Sequence, residues 1–188
     1  MFGFLKLFKR KQFNAIPTIK PTAIHKKDDK KGHDLFLVEL ENLLVRSKLF
    51  KAQYIQKYIS LYKSYKAFMR KDSNLLGKQP FFLESLSDDA LQFKNNEIRK
   101  YSKNIVLIAN RRAMANVTLE RFKKDNLFDK VILYFPENKL ICETMLTEKS
   151  KYHKKIVTIS KAPIFPLITC VRCNSCHLGI SYKPYIKI

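Results

Sequence analysis

The chain has 188 residues, 46% of them hydrophobic, so its length and composition predict one folded domain with a real core rather than a disordered polypeptide. Its 37 Lys and Arg residues against 16 Asp and Glu residues give a net charge of +21, which predicts a polyanionic partner, with nucleic acid favoured over an anionic membrane surface. A codon bias that enriches Lys, Asn, Ile, Phe and Tyr is the alternative source of this charge. No apolar run approaches the roughly 20 residues that cross a bilayer, so we expect no transmembrane segment.

Residues 1–33 form a predicted extended arm that is basic and interrupted by Pro17 and Pro21. Its opening, MFGFLKLFKRK, is amphipathic and free of acids, a pattern similar to a mitochondrial presequence, which predicts the mitochondrial matrix with the cytoplasm as the alternative. A short interfacial helix and a tail threaded into RNA are the other interpretations. The predicted RNA contacts of the arm are Lys6, Lys9, Arg10, Lys11, Lys26 and Lys27.

Residues 34–72 form a predicted helical region, because apolar residues recur there at helical spacing without proline or glycine until the region ends. Asp34 is the predicted N-cap. The region forms one helix or two, and a break after Ser47 is expected if there are two. Four tyrosines share one stripe of its second half, which indicates a core or protein contact more than a base-stacking surface: Tyr54, Tyr58, Tyr62 and Tyr65.

Residues 73–160 form the predicted core. Ser87, followed by two aspartates, indicates the start of a helix. The apolar runs NIVLIANRR, DKVILYFP and KKIVTIS read as buried strands, and the amphipathic segments between them read as helices. Buried strands that alternate with helices predict an α/β fold with a Rossmann-like parallel sheet flanked by helices, a long N-terminal helical region and basic extended tails.

The first predicted strand-to-helix turn, ANRRAMAN, has no glycine that would let a pyrophosphate approach. Neither a phosphate-binding loop nor a pairing of histidine with a nucleophile is evident in the sequence. We therefore predict a protein that is not an enzyme, in which Arg111 and Arg112 meet the phosphates of RNA.

Residues 161–188 form a predicted irregular, basic tail that carries a cysteine cluster. Reduced thiols are expected, because a lysine-rich chain without an export signal is not typical of disulfide-stapled secreted proteins. The spacing C-x-x-C-x-x-C-H suits zinc first and an iron–sulfur cluster second, while thiols packed without metal are the alternative. The candidate ligands are Cys142, Cys170, Cys173, Cys176 and His177.

Three stretches resemble the family of small-subunit ribosomal protein two. FFLESLSDDALQFKNNEIRKYSKNIVLIANRR is similar to the family's Ile-Asp-Leu entry, long helix and first strand. DKVILYFPENKLICETM resembles the strand that ends in Asp-Pro with its following helix. KKIVTIS followed by FPLITCVRCNS resembles the third strand and the Leu-Ile-Thr-Tyr segment of organellar members.

This resemblance implies a structural constituent of the mitochondrial small ribosomal subunit that binds ribosomal RNA and other small-subunit ribosomal proteins. The alternatives are a truncated nucleotide-sugar glycosyltransferase at a membrane surface and a stand-alone zinc-knuckle protein that binds nucleic acid. Outside the N-terminal arm, the predicted RNA-binding residues are Arg111, Arg112, Lys123, Lys124, Lys154, Lys155, Arg172 and Lys183.

Overall fold

A computed structural model describes residues 23–64, 72–125, 128–137, 142–173 and 180–186, with side chains from residue 30 onward. The described residues form five helices: α1 (Ala23–Ser47), α2 (Ala52–Tyr62), α3 (Asp88–Leu91), α4 (Asn95–Lys124) and α5 (Glu143–Tyr152). They also form three strands: β1 (Lys130–Tyr134), β2 (Ile156–Thr158) and β3 (Ser181–Pro184). Short 3-10 helices occupy Leu76–Lys78, Ile159–Lys161 and Ile168–Arg172.

The three strands form one antiparallel sheet in the order β2-β1-β3. Ile132, in the middle of β1, lies opposite Ile156 of β2 and Lys183 of β3. The predicted Rossmann-like parallel sheet is therefore wrong, and the described residues are largely helical with one small sheet.

The first reason for this difference is the segment NIVLIANRR, residues 104–112, which lies inside α4 rather than in a strand. α4 is the central helix, and it packs against α1, against the 3-10 helix Ile168–Arg172 and against β3. Its residues are consequently buried on several sides, so an unbroken apolar run suits a helix here as well as it suits a buried strand.

The second reason lies where the chain leaves α5. The backbone N–H of Lys154 donates to the carbonyl of Leu133 at 2.8 Å, so the chain returns directly at the end of β1. Lys154 has a φ of 57°, a left-handed conformation that reverses the chain at that point. β2 must then run back along β1, which makes the pair antiparallel.

The N-terminal helical region contains two helices. α1 begins at Ala23, so residues 23–33 are helical rather than extended, and Asp34 lies within the helix rather than at its cap. The break occurs at the expected place, where Lys48 follows Ser47 with a φ of 54°. The tyrosine stripe belongs to the core as expected, since the side chains of Tyr54, Tyr58 and Tyr62 are all buried, while Tyr65 lies outside the described residues.

Much of the C-terminal segment predicted to be an irregular tail is part of the core. Phe165, Val171 and Tyr182 are buried, and β3 completes the sheet. The hydroxyl of Tyr182 donates to the carbonyl of Pro163 at 2.8 Å and accepts from the N–H of Phe165 at 3.1 Å. Burial raises the pKa of Tyr182 to about 12, so this hydroxyl keeps its proton at alkaline pH values where an exposed tyrosine ionises.

Ser87 caps α3, which confirms the predicted helix start. Its Oγ accepts from the N–H of Ala90 at 3.2 Å and donates to the carbonyl of Lys48 at 2.5 Å. The predicted continuous helix is interrupted, however, because α3 has a single turn and α4 begins only at Asn95.

Replacing Ser87 with alanine is expected to lower the free energy of unfolding by about 1–2 kcal/mol, because the cap and the contact between Ser87 and Lys48 are both lost. Urea denaturation of the full chain measures the change. Ser60→Ala is the matched control: its exposed hydroxyl bonds within its own helix, to the carbonyl of Gln56, and its loss is expected to change stability by less than about 0.5 kcal/mol. Equal effects of the two changes would contradict the capping role.

Candidate functional site

Three cysteines from two separate segments converge at one place. The sulfur atoms of Cys142, Cys170 and Cys173 all lie within 4.8 Å of one another, and the first two are 4.0 Å apart. Cys170 is buried, whereas the other two are partly exposed. Three thiols in this arrangement can bind a metal ion such as zinc.

Each sulfur is positioned by the end or the interior of a short helix. Cys142 directly precedes α5, and its carbonyl accepts the N–H of Leu146 at 2.9 Å. Cys170 lies inside the 3-10 helix Ile168–Arg172, and Cys173 follows its last residue. The N–H of Cys173 donates to the carbonyl of Cys170 at 3.0 Å, which sets the spacing of the C-x-x-C pair.

Asn104 of α4 holds this 3-10 helix in place. Its Nδ2 donates to the carbonyls of Val171 at 2.9 Å and Cys173 at 2.7 Å, and its side chain is only 3% exposed. A buried amide with both of its N–H donors satisfied fixes its partners firmly. The central helix therefore determines where the C-x-x-C segment meets Cys142.

The spacing of the sulfurs fits one metal ion better than a cluster. Zinc at 2.3 Å from each thiolate in a tetrahedral site places neighbouring sulfurs about 3.8 Å apart, so the observed arrangement needs to contract by at most about 1 Å. A four-iron cluster binds each thiolate to a different iron atom and needs the sulfurs further apart. Cys176 and His177, the other predicted ligands, lie outside the described residues.

Arg112 forms an ion pair and hydrogen bonds within the fold. Its Nε donates to Oε2 of Glu39 at 2.6 Å, and its Nη1 donates to the carbonyls of Ile164 at 2.8 Å and Pro166 at 2.9 Å. Asn116 adds a bond at 3.1 Å to the other carboxylate oxygen of Glu39. Arg112 thus joins α4 to α1 and to the segment before Cys170, which leaves its neighbour Arg111 as the exposed arginine of the predicted pair.

Arg111, which is exposed, lines an open cavity of about 200 Å³. This cavity is bounded by Met114 and Thr118 of α4, by Phe165 and by Ser181 of β3. Besides Arg111, the lining contains one other ionisable side chain, Tyr182, whose hydroxyl is bonded to Pro163 and Phe165.

The other predicted RNA-binding residues are distributed over several elements. Lys123 and Lys124 are exposed in the last turn of α4, and Lys154 and Lys155 are exposed between α5 and β2. The guanidinium of Arg172 lies 4.7 Å from the ring centre of Phe93, and Lys183 projects from β3. These bases therefore belong to separate segments of the sequence. Of the remaining candidates, Lys6, Lys9, Arg10 and Lys11 lie outside the described residues, and the side chains of Lys26 and Lys27 are not described.

Two residues that matter at these sites were missed in the sequence. Asn104 is the first residue of the segment predicted to be a strand, although a lone polar residue within the apolar periodicity of a helix signals a buried hydrogen bond. Glu39 lies in the predicted helical region and is buried in the structure. Its burial beside Arg112 depends on a contact between residues 73 positions apart, for which the local sequence holds no signal.

Comparison with protein-family models, with curated proteins and with solved structures found no match for this chain. Among the described residues, no helix combines the length and the apolar character that spanning a membrane requires.

Proposed function

We propose that this protein is a non-enzymatic structural constituent of the mitochondrial small ribosomal subunit, where it binds ribosomal RNA and neighbouring ribosomal proteins. The observation that carries the proposal is the charge: even if each of the 16 acids paired with one base, 21 of the 37 basic residues would need another counter-charge. RNA supplies this charge, and phosphate neutralisation releases counterions that favour binding.

The distribution of the bases supports RNA over a small anionic ligand. Acids are absent before Asp28 and after Glu148, so both ends of the chain are purely basic. Among the described residues, exposed bases occupy different elements, among them α4, β3 and the turn before β2. A folded RNA that surrounds a small protein presents phosphates in several directions, which suits bases spread over several faces.

The small-subunit assignment rests on the sequence resemblance alone. The resemblance predicts three strands. Two of them, in DKVILYFP and KKIVTIS, correspond to β1 and β2, whereas the third, NIVLIANRR, lies in a helix. The assignment is therefore a narrower proposal than RNA binding, and it is tested separately.

Sedimentation of the tagged protein from its own cells through a high-salt sucrose gradient tests both the RNA binding and the small-subunit assignment. We expect the protein to sediment with mitochondrial small subunits, and crosslinking to recover small-subunit ribosomal RNA. Recovery with a different RNA would overturn the ribosomal assignment while leaving RNA binding intact. Recovery as an RNA-free monomer would overturn the whole proposal.

Two double variants, which each remove two positive charges from a different part of the surface, test which part of the surface binds RNA. Lys123→Gln with Lys124→Gln is expected to release the protein from the ribosomal particle at lower salt than wild type, because two phosphate contacts are lost. Arg46→Gln with Lys48→Gln, which removes two exposed bases outside the predicted set, is the matched control. If the two pairs shift the release equally, net charge alone governs binding and the predicted contacts are wrong.

As a further part of this proposal, the three clustered cysteines bind a structural zinc ion. Zinc bound by Cys142, Cys170 and Cys173 joins the start of α5 to the 3-10 helix that Asn104 holds against α4. Because these segments belong to the core, the metal serves as a structural link within the domain. This placement favours it over the alternative of an independent zinc knuckle that recognises nucleic acid through the tail.

A further inference from the structure

The small sheet has one face packed on the core and one face open to solvent. Val131 and Leu133 of β1 and Tyr182 of β3 point inward and are buried. The alternate residues lie on the other face, which we call the outer face: Lys130, Ile132, Tyr134, Ile156, Thr158, Ser181 and Lys183. Each of these seven side chains is exposed or half-buried, with Ile156 48% exposed.

Tyr134 gives the outer face an aromatic surface with a cation beside it. The Nζ of Lys183 lies 4.8 Å from the centre of the Tyr134 ring, on its face. His153 meets the same ring edge-on, with 6.4 Å between ring centres. A lysine ammonium is hydrated and lies on a flexible stem, so it can move from the ring to a phosphate when a base takes its place.

The charge of the outer face complements a polyanion. None of the residues in the three described strands is acidic, while Lys130 and Lys183 are exposed on the outer face itself. Lys154 and Lys155, also exposed, precede β2 at the end of the sheet where Tyr134 lies. The bases therefore flank the aromatic ring on more than one side.

We infer that the outer face binds a single-stranded segment of RNA, with a base stacked on Tyr134 and with Lys130 and Lys183 at the adjacent phosphates. The inference rests on the proposed RNA binding and specifies its substrate as an unpaired strand. Bases in a duplex are already stacked inside the helix, whereas an unpaired base offers a free face to an aromatic ring on an open sheet. The apolar side chains of Ile132 and Ile156 extend the surface on which neighbouring bases can lie.

Fluorescence tests the stacking directly, because the chain contains no tryptophan. In the full-length chain, the change Tyr134→Trp creates a single indole on the outer face. A single-stranded oligouridylate is expected to quench this fluorescence saturably, and a duplex RNA of the same length much less. Phe81→Trp is the matched control, since Phe81 packs against Tyr54 and Tyr58 of α2, none of which is a predicted RNA contact, and little quenching is expected there.

Affinity of unlabelled variants gives a second measurement. Tyr134→Val keeps a β-branched residue in β1 but removes the ring, and it is expected to weaken oligouridylate binding about tenfold while leaving duplex binding unchanged. Lys183→Gln is expected to weaken oligouridylate binding and to lower its salt dependence. Circular dichroism shows whether each variant is folded, and the lysine variant, which alters an exposed side chain, keeps the test valid if the valine variant is not.

The outcomes separate this inference from the proposed function. Tight RNA binding without quenching, and with no loss in either variant, would overturn the outer face as the site and leave RNA binding in place. Loss of a co-purifying ribosomal protein instead of RNA in Tyr134→Val would show that the face docks a protein, which also overturns the inference. Failure of the wild-type chain to bind either RNA would overturn the proposed function together with it.

Discussion

Replacing Arg112 with alanine is expected to lower the free energy of unfolding by about 3–5 kcal/mol. The change leaves the carboxylate of Glu39, whose side chain is 9% exposed, without its cationic partner, and it also removes the donors to the carbonyls of Ile164 and Pro166. An uncompensated charge and unsatisfied carbonyls in the interior are both costly. Chemical denaturation of the full-length protein measures the effect.

Arg111→Ala is the matched control for this prediction. It removes the same type of side chain from the adjacent position on α4, but Arg111 is exposed, so a change of less than about 0.5 kcal/mol is expected. The double change Glu39→Leu with Arg112→Leu removes both charges and is expected to recover part of the lost stability. Equal destabilisation by Arg111→Ala and Arg112→Ala would contradict the buried ion pair.

The same two variants also separate structure from RNA binding. Arg111→Ala is expected to weaken RNA binding without loss of stability, whereas Arg112→Ala is expected to act mainly through unfolding. The sequence treats the two arginines as equivalent, and only the structure distinguishes them, because Arg112 bonds to Glu39 while Arg111 is exposed.

Removal of zinc is expected to lower the free energy of unfolding by about 3–4 kcal/mol, the effect of a ligand present at 100 to 1,000 times its dissociation constant. The purified protein is expected to contain about one equivalent of zinc, and a strong chelator is expected to lower its unfolding midpoint. Metal analysis and denaturation with and without chelator provide the two measurements.

Cys142→Ser is the variant that connects this effect to the cluster. The side chain of Cys142 is partly exposed, so the substitution removes a ligand with less disturbance of the core than a change at buried Cys170. The chelator is expected to have no further effect on this variant. Less than about half an equivalent of zinc in wild type, with no effect of chelator, would exclude a structural metal. Separate Cys176→Ser and His177→Gln variants then identify which of them affects zinc content.

The local parts of the fold were largely predictable. Ser87 caps a helix as its residue type predicts, β1 and β2 occur at two of the predicted strand segments, and the chain breaks between α1 and α2 at Lys48. These features depend on side-chain bonds to nearby backbone and on the periodicity of apolar residues, which are local properties.

The sheet and the metal cluster were harder to predict, for the same reason. The apolar pattern of NIVLIANRR is compatible with a buried strand and with a helix that is buried on several sides. Which secondary structure it adopts therefore depends on the elements that pack around it. Cys142 was a predicted partner of the C-x-x-C pair, but the distance between them depends on α5 and on the hydrogen bonds of Asn104. Both outcomes require knowledge of contacts between distant segments.

The amino-acid composition alone establishes that this protein is strongly cationic, and the apolar runs alone identify most of the segments that form its core. The tertiary structure decided that α4 is the central helix, that the sheet is antiparallel with an open outer face, and that Arg112 serves the fold while Arg111 meets solvent. Charge and hydrophobicity are sums over single residues, whereas burial, strand direction and ion pairing depend on which distant residues meet. The contact between Glu39 and Arg112 has no counterpart in either local sequence, and it forms only when α1 packs on α4.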